Sequence, residues 1–271
     1  MSTEPKPKPT RKAYRNRRFL ESIDARPLRI LAEYLEPKTR FGRHRVEDTI
    51  VFMGSARIVS REAAEKRLAK AGAGDLGGAR EMVKMSRYYE AARELSRRLT
   101  EWSKGLDKAS RRFVVCTGGG PGIMEAANLG ASEARGLNVG LRISIPLPEF
   151  RNRYITKALD FDFHYFFMRK FWFVYLAKAV IVFPGGFGTL DELFELLTLV
   201  QTRKLRKHLP IVLFGEDFWR RAVDFDALVR HGTISPDDVG LVYRTDSVDD
   251  AFAFVTAELT RHAMDRPGPR L

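Results

Sequence analysis

The stretch "VIVFPGGFGTLDE", residues 180–192, indicates the fold class of this sequence. An apolar run ends at Pro184, a glycine-rich turn follows, and a helical pattern then opens with Thr189 and two acids. Such an apolar run is typical of a strand that is buried on both faces of a parallel sheet. Glycines let the backbone approach a ligand closely, and the first turn of a helix presents unpaired amide hydrogens that favour an anion. The stretch therefore predicts a strand, a turn and a helix, with an anion site at the turn.

Two further strand patterns end in turns of small residues, "MGSAR" at 53–57 and "CTGGGPGIME" at 116–125. A single turn of this kind is as well explained by a tight connection without a ligand. Three of them favour a ligand, because ligands of an open parallel sheet bind beyond the carboxyl ends of its strands. "GGGPGIM" lacks the G-x-G-x-x-G spacing and "PGGFGT" lacks the Gly-Lys-Ser/Thr ending of a P-loop. These differences disfavour a dinucleotide enzyme and a P-loop NTPase.

Strand and helix patterns alternate along most of the chain, from about Asp48 onward. This predicts an α/β fold, a Rossmann-like doubly wound and mostly parallel sheet with helices on both faces. We expect three parts: a disordered basic tail at 1–18, an N-terminal helical extension at 19–47, and a Rossmann-like domain at 48–265. Prolines are expected to bound short helices within the extension.

The composition excludes several classes of protein. The single cysteine, Cys116, excludes an intrachain disulfide and a multi-cysteine metal site, and it is typical of a reducing compartment. No apolar run has transmembrane length, and the N-terminus lacks the apolar core of a signal peptide. We therefore expect a cytoplasmic protein without a membrane partner. His164, His208 and His231 show no metal-ligand spacing, so no metal is expected.

The chain is basic, with a formal net charge of +13, and the excess is uneven. Residues 1–20 contain seven lysines and arginines against the single acid Glu4. A basic excess either keeps a surface soluble or attracts nucleic acid and small anions. The sequence has no ordered basic-aromatic RNA motif, which disfavours nucleic acid as a partner.

Two charged residues stand out beside the glycine turn of 180–192. Glu192, Glu195 and Thr198 follow one another at helical spacing, away from the apolar positions of the same helix. Glu192 is therefore either a helix-start acid that the dipole favours or part of a cleft wall. Arg169 lies among aromatic residues, where burial without a partner is costly. Its guanidinium either reaches water or faces the cleft and pairs there with Glu192 or with a ligand anion.

The combination of "GGGPGIMEAAN", "FFMRK" and "PGGFGTLDE" resembles the LONELY GUY family, the cytokinin riboside 5′-monophosphate phosphoribohydrolases. Many bacterial members were once described as possible lysine decarboxylases. The resemblance runs from about Ile50 to about Phe252, and it implies that the Rossmann-like domain at 48–265 is a nucleotide-binding catalytic domain. It implies hydrolysis of the N-glycosidic bond of a nucleoside 5′-monophosphate, without a cofactor or a metal, by a homodimer or higher homo-oligomer. The long N-terminal extension is similar to that of the longer bacterial members, for which AMP is as good a candidate substrate as a cytokinin nucleotide.

The resemblance implies that Arg169 and Glu192 are the catalytic pair. It leaves open whether Arg169 contacts Glu192, phosphate or base. The alternative is a non-catalytic nucleotide-binding or sensing protein on the same fold. Such a protein keeps the glycine turns, and its function does not depend on the carboxylate of Glu192. The turns and the resemblance together predict the following substrate-binding residues: Ser55, Gly118, Gly119, Gly120, Gly122, Glu149, Lys170, Gly185, Gly186, Gly188, Thr189 and Thr198.

Overall fold

A computed structural model describes residues 12–106, 111–145 and 150–269. Within these residues seven strands form one sheet in the order β4-β3-β2-β1-β5-β6-β7, and every neighbouring pair is parallel. The predicted α/β class, a doubly wound parallel sheet with helices on both faces, is confirmed. The strands are β1 (Thr49–Met53), β2 (Val114–Thr117), β3 (Asn138–Ile143), β4 (Asp160–Phe163), β5 (Ala177–Val182), β6 (Ile211–Phe214) and β7 (Tyr243–Thr245).

Helices connect the strands and cover the sheet. None of the helices in the described residues combines the length and the apolar character needed to cross a bilayer. Short 3-10 helices lie at Ala13–Arg15, Lys157–Leu159 and Pro236–Leu241. The α-helices are α1 (Arg17–Leu20), α2 (Arg26–Arg43), α3 (Arg61–Lys70), α4 (Leu76–Lys104), α5 (Ile123–Glu133), α6 (Phe166–Leu176), α7 (Phe187–Gln201), α8 (Glu216–Ala222), α9 (Phe225–Arg230) and α10 (Val248–His262).

The sheet separates two apolar cores. Alternate residues of β1 point to opposite faces: Ile50 and Phe52 contact the core under α4, α5 and α10, whereas Val51 and Met53 contact the core under α2, α6 and α7. All five residues of β1 are buried, as expected for a central parallel strand. This double burial explains why the strands appear in the sequence as continuous apolar runs.

Three helical segments differ from the sequence prediction. α2 continues through Pro37 instead of ending there, so the extension holds one long helix and not several short ones. The segment 216–232, expected as one helix, is interrupted at Val223, whose backbone is extended. Asp224 then caps α9 by accepting a hydrogen bond from the Ala227 amide at 2.8 Å. The sequence pattern does not predict α3, because Ala64 is the only buried residue of this helix and its apolar period is weak.

The predicted basic tail lies mostly outside the described residues, which begin at residue 12. The segment from residue 12 to Leu20 forms a 3-10 turn and one short α-helix, and its side chains are exposed or half-buried. The tail at 1–18 stays a prediction.

A buried carboxylate fixes the C-terminal segment against the start of the sheet. Asp48 is fully buried beside the cations of Arg112 and Lys178, and its Oδ1 lies 3.4 Å from the Lys178 Nζ. The same Asp48 oxygen accepts a hydrogen bond from the Gly268 amide at 3.2 Å. Burial raises the pKa of Asp48, and the two cations oppose that shift.

The order of the strands reverses between β1 and β5. From β1 the chain proceeds to β2, β3 and β4 on one side, and β5, β6 and β7 follow on the other. A crevice at the carboxyl ends of the strands is expected at such a reversal. The three small-residue turns all follow strands at this position, after β1, β2 and β5.

Candidate active site

Backbone hydrogen bonds join the three turns to one another. The Phe183 amide donates to the Met53 carbonyl at 2.8 Å, and the Ser55 amide donates to the Pro184 carbonyl at 2.9 Å. The amide of Ile123, at the start of α5, donates to the Ser55 carbonyl at 3.1 Å. The turn after β1 therefore links the other two turns, and together they form one continuous floor.

A cavity of about 570 Å³ opens above this floor, a size typical of small-molecule sites. The β1 turn, the start of α7 and the inner side of α6 form its walls. Its lining includes seven residues of the sequence-predicted set, Ser55, Gly118, Arg169, Gly186, Gly188, Thr189 and Glu192. The other lining residues are Phe52, Met53, Gly54, Ala56, Arg57, Met124, Phe166, Phe173, Phe187, Leu190 and Asp191.

Close approach of neighbouring groups accounts for the glycines at two positions of the floor. A Cβ at Gly185 would lie 2.1 Å from the Oγ1 of Thr189, whose buried side chain lies beneath the turn. Gly122, at the N-cap of α5, has φ +71°, and a Cβ there would lie 2.4 Å from the Ser55 carbonyl oxygen. The packing of the turns against one another thus requires these glycines, whatever ligand binds.

Glu192 lies in the second turn of α7, and its side chain faces the cavity. The residue is only 8% exposed. Burial raises the pKa of Glu192 to about 7, while the positive charges of Arg169 and Lys170 act in the opposite direction. A carboxyl group with this pKa is partly protonated and partly ionised at neutral pH, which suits proton transfer.

Arg169 lies on α6 and faces Glu192 across the cavity, with its Nη1 3.6 Å from the Glu192 Oε1. Its Nε donates to the Leu141 carbonyl at 2.9 Å, and its guanidinium lies 5.0 Å from the centre of the Phe173 ring. The side chain is mostly buried, which lowers the pKa of Arg169. The sequence left open whether the Arg169 guanidinium reaches water or faces the cleft. In the structure it faces the cleft.

Lys170 lies beside the cavity and not in its lining. Its ammonium group contacts two carboxylates of α7, Asp191 at 2.8 Å and Glu195 at 2.9 Å. These ion pairs connect α6 to α7 next to Glu192. Thr198 is also outside the cavity: it lines a shallow neighbouring groove, and its hydroxyl donates to the Phe194 carbonyl.

The β2 turn contributes less of the cavity wall than the sequence predicts. Gly118 is a lining residue, but Gly119, Gly120 and Gly122 are not. The Gly119 amide donates to the Thr117 hydroxyl at 3.0 Å, and the first amide of α5 is bonded to the β1 turn. The start of α7 is therefore the better exposed of the two helix ends. Glu149 lies outside the described residues.

Eleven lining residues lie outside the predicted set, and three of them bear directly on ligand binding. Arg57 is exposed at the edge of the cavity, where it follows Ser55 in the β1 turn. Phe166 is 52% exposed and Phe187 is 93% exposed at the cavity mouth. Phe187 occupies the turn "GGFGT", and an apolar ring between two glycines was the available signal.

Comparison with known proteins finds a matching family model. A family model described as "possible lysine decarboxylase" matches residues 124–255, a range that includes Arg169 and Glu192. The match covers just under half of the chain. The LONELY GUY resemblance is thereby confirmed, since that description is the earlier one of its bacterial members.

A curated relative is the pyrimidine/purine nucleotide 5′-monophosphate nucleosidase of Escherichia coli strain K12. It is 30% identical over 156 aligned residues, which cover 49% of this chain and 33% of the relative. The proteins of the same name from strains O6:H1 and O157:H7 match equally well. The chain thus spans about a third of the length of the curated relatives it matches.

Solved structures of similar fold have low sequence identity. The structural-genomics target TM1055 is 20% identical with a TM-score of 0.47, over 78% of this chain and 99% of that one. The molybdenum cofactor binding protein from Rippkaea orientalis is 19% identical with a TM-score of 0.45, over 78% of this chain and 96% of that one.

Proposed function

We propose that the protein hydrolyses the N-glycosidic bond of a nucleoside 5′-monophosphate and releases the free base and ribose 5-phosphate. The observation that carries this proposal is the buried Glu192 carboxyl group, which lies in the cavity beside the glycine turn and opposite Arg169. The match to the family model supports the proposal, as does the nucleotide 5′-monophosphate nucleosidase activity in the name of the Escherichia coli relatives.

The 5′-phosphate is assigned to the start of α7. The amide hydrogens of a first helical turn lack carbonyl partners within the helix, and the positive end of the helix dipole favours an anion there. Ser55, in the neighbouring β1 turn, also lines the cavity. Its Oγ accepts a hydrogen bond from the Arg57 amide at 3.1 Å, which leaves the hydroxyl hydrogen for a phosphate oxygen. The exposed Arg57 adds a positive charge at the edge of the cavity.

The ribose is then placed beside Glu192. Breaking the C1′–N bond builds positive charge on the sugar ring, which an adjacent carboxylate stabilises. A water oxygen bonds to C1′ as the C1′–N bond breaks, and Glu192 accepts a proton from that water. The departing base takes up a proton from solvent, and Glu192 releases its proton to solvent, which restores the carboxylate. Arg169 favours the ionised form of Glu192, which this step requires. Binding energy from the phosphate holds the ring in position for the reaction.

The base is assigned to the cavity mouth, between the rings of Phe166 and Phe187. Both rings are exposed, and stacking on aromatic side chains is available to every nucleobase. The substrates proposed are AMP and cytokinin riboside monophosphates, whose adenine rings present the same face for stacking.

A homo-oligomer is part of the proposal. α2 exposes Leu28, Leu31 and Leu35 at helical spacing, and α6 exposes Phe167. Exposed apolar surface of this kind is typical of interfaces between proteins. Light scattering after gel filtration measures the mass in solution, and a monomer at micromolar concentration would contradict this part of the proposal.

The deciding experiment measures base release from AMP, GMP, CMP and isopentenyl-AMP by chromatography. The wild-type protein is expected to release base from at least one of them. Glu192→Gln is expected to lose at least about 100-fold in kcat while nucleotide binding by calorimetry persists. Glu65→Gln is the matched control, since its carboxylate pairs with Arg61 on the surface of α3. If the wild-type protein binds monophosphates but releases no base, the non-catalytic alternative replaces the enzyme.

A further inference from the structure

His208, Glu258 and His262 form a cluster at the edge of the sheet opposite the cavity. His208 lies just before β6, and therefore at the amino-terminal edge of the strands. Glu258 and His262 lie in the last turns of α10, which returns to the same edge. The cavity, in contrast, lies at the carboxyl ends of β1 and β5. The cluster is therefore separate from the candidate active site.

The potential ligand atoms of the cluster converge on one point. The Glu258 Oε2 lies 2.5 Å from the His208 Nε2 and 3.9 Å from the His262 Nε2. One ligand atom from each of the three residues lies within 4.8 Å of the other two, and the two imidazole rings are 4.2 Å apart between centroids. Both histidines are exposed at the surface, so an ion reaches them without any opening of the fold.

A fourth residue orients the carboxylate. The Arg261 Nη1 lies 2.6 Å from Glu258 Oε1, the oxygen that faces away from the histidines. This ion pair holds Oε2 towards the two imidazoles, as hydrogen bonds to the outer oxygen of a ligating carboxylate do at metal sites. Glu258 and His262 are four residues apart in the sequence and share one face of α10, which is a usual spacing for two ligands on a helix.

We propose that His208, Glu258 and His262 bind one zinc ion, with water completing the coordination. Two imidazole nitrogens and one carboxylate oxygen are a ligand set that zinc uses, at distances of about 2.0–2.2 Å. The present separations need only small side-chain rotations to meet these distances. The ion takes the place of the hydrogen bond between His208 and Glu258 and ties the segment before β6 to α10. No metal-ligand spacing appears among His164, His208 and His231, because the two residues that join His208 in the cluster lie at least 50 residues further along the chain.

Calorimetric titration with zinc chloride tests the proposal on the full chain, freed of any affinity tag and of bound metal. The expected result is one zinc ion per chain. At a zinc concentration of about 100 times Kd, the melting temperature is expected to rise by roughly 5 °C. His208→Ala and His262→Ala are each expected to weaken binding by at least about tenfold and to abolish the thermal shift.

His231→Ala is the matched control, because it removes another exposed histidine, at the end of α9. It is expected to bind zinc as the wild type does. Melting curves in EDTA show whether each variant is folded, and the thermal shift of each variant is measured against its own curve in EDTA. The proposal is overturned if the wild type binds no zinc, if it binds one ion per two chains, or if folded His208→Ala and His262→Ala bind zinc as tightly as the wild type.

Discussion

The raised pKa of Glu192 predicts how the rate depends on pH. If the ionised carboxylate is the reactive form, kcat/KM rises with pH and levels off above about pH 7, the pKa of Glu192 in the free protein. An exposed glutamate, with its usual pKa of 4.5, would give a flat profile over the same range. The experiment is therefore a series of rate measurements from pH 5 to pH 9, carried out on the wild type and on Glu192→Gln.

The size of the effect follows from the pKa. With a pKa of about 7, roughly a tenth of the Glu192 side chains are ionised at pH 6, so kcat/KM is expected to be about tenfold lower there than at pH 8. The shift of the Glu192 pKa from 4.5 to about 7 corresponds to about 3 kcal/mol, by which burial destabilises the ionised carboxylate relative to the protonated form. The folded protein therefore binds this proton more tightly than the unfolded chain does. The stability that results is complete below pH 4.5 and is lost as the pH rises to 7.

Two assays measure these effects. Initial rates of base release at low substrate give kcat/KM, and urea unfolding at pH 5 and pH 8 gives the free energy of unfolding. The substrate phosphate also titrates near pH 6. Nucleotide binding to Glu192→Gln, measured over the same pH series, gives the part of the pH dependence that comes from the phosphate. Glu192→Gln is expected to lose less stability than the wild type between pH 5 and pH 8, since its amide does not ionise. A wild-type kcat/KM that is constant from pH 5 to pH 8, after correction for the phosphate, would show that Glu192 does not act as an ionised group.

Three substitutions test other parts of the structure. Phe187→Ala is expected to raise KM about tenfold or more with little change in kcat, because loss of stacking costs about 1–3 kcal/mol per base; an unchanged KM would place the base elsewhere. Gly185→Ala is expected to destabilise the fold by about 1–3 kcal/mol because its Cβ meets Thr189, whereas Gly186→Ala, with open space around it, serves as the control in urea unfolding. Asp48→Asn leaves two buried cations without their carboxylate and is expected to cost about 3–5 kcal/mol, so an unshifted urea midpoint would contradict the account of this buried network.

The strands were predictable because their burial on both faces leaves continuous apolar runs, as in "VIVF" of β5. The helices were less so. Pro37 suggested a helix boundary, because a proline lacks an amide donor and crowds the carbonyl four residues earlier, yet α2 continues through it. The start of β5 directly after α6, with Ala177 and Lys178 in the strand, has no signal in the local pattern.

For the candidate site, sequence reasoning named the residues but not their environments. Arg169 and Glu192 were named from a costly cation among aromatic residues and an acid beyond a glycine turn. The pKa of Glu192 depends on how α6 and α7 bury it, which no local pattern contains. The same holds for Lys170, whose partners in α7 lie more than twenty residues away. The cluster proposed to bind zinc depends on a contact between His208 and α10, which are still further apart in the sequence.

The hydrogen bonds that join the three turns also limit how substrate preference is able to evolve in this fold. An insertion in any one turn would break its bonds to the other two, so the floor resists changes in length, and the proposed phosphate position is fixed with it. The mouth carries no such constraint, since the rings of Phe166 and Phe187 project into solvent. We therefore expect relatives that share this floor to differ more in the residues of the mouth than in the lengths of the three turns.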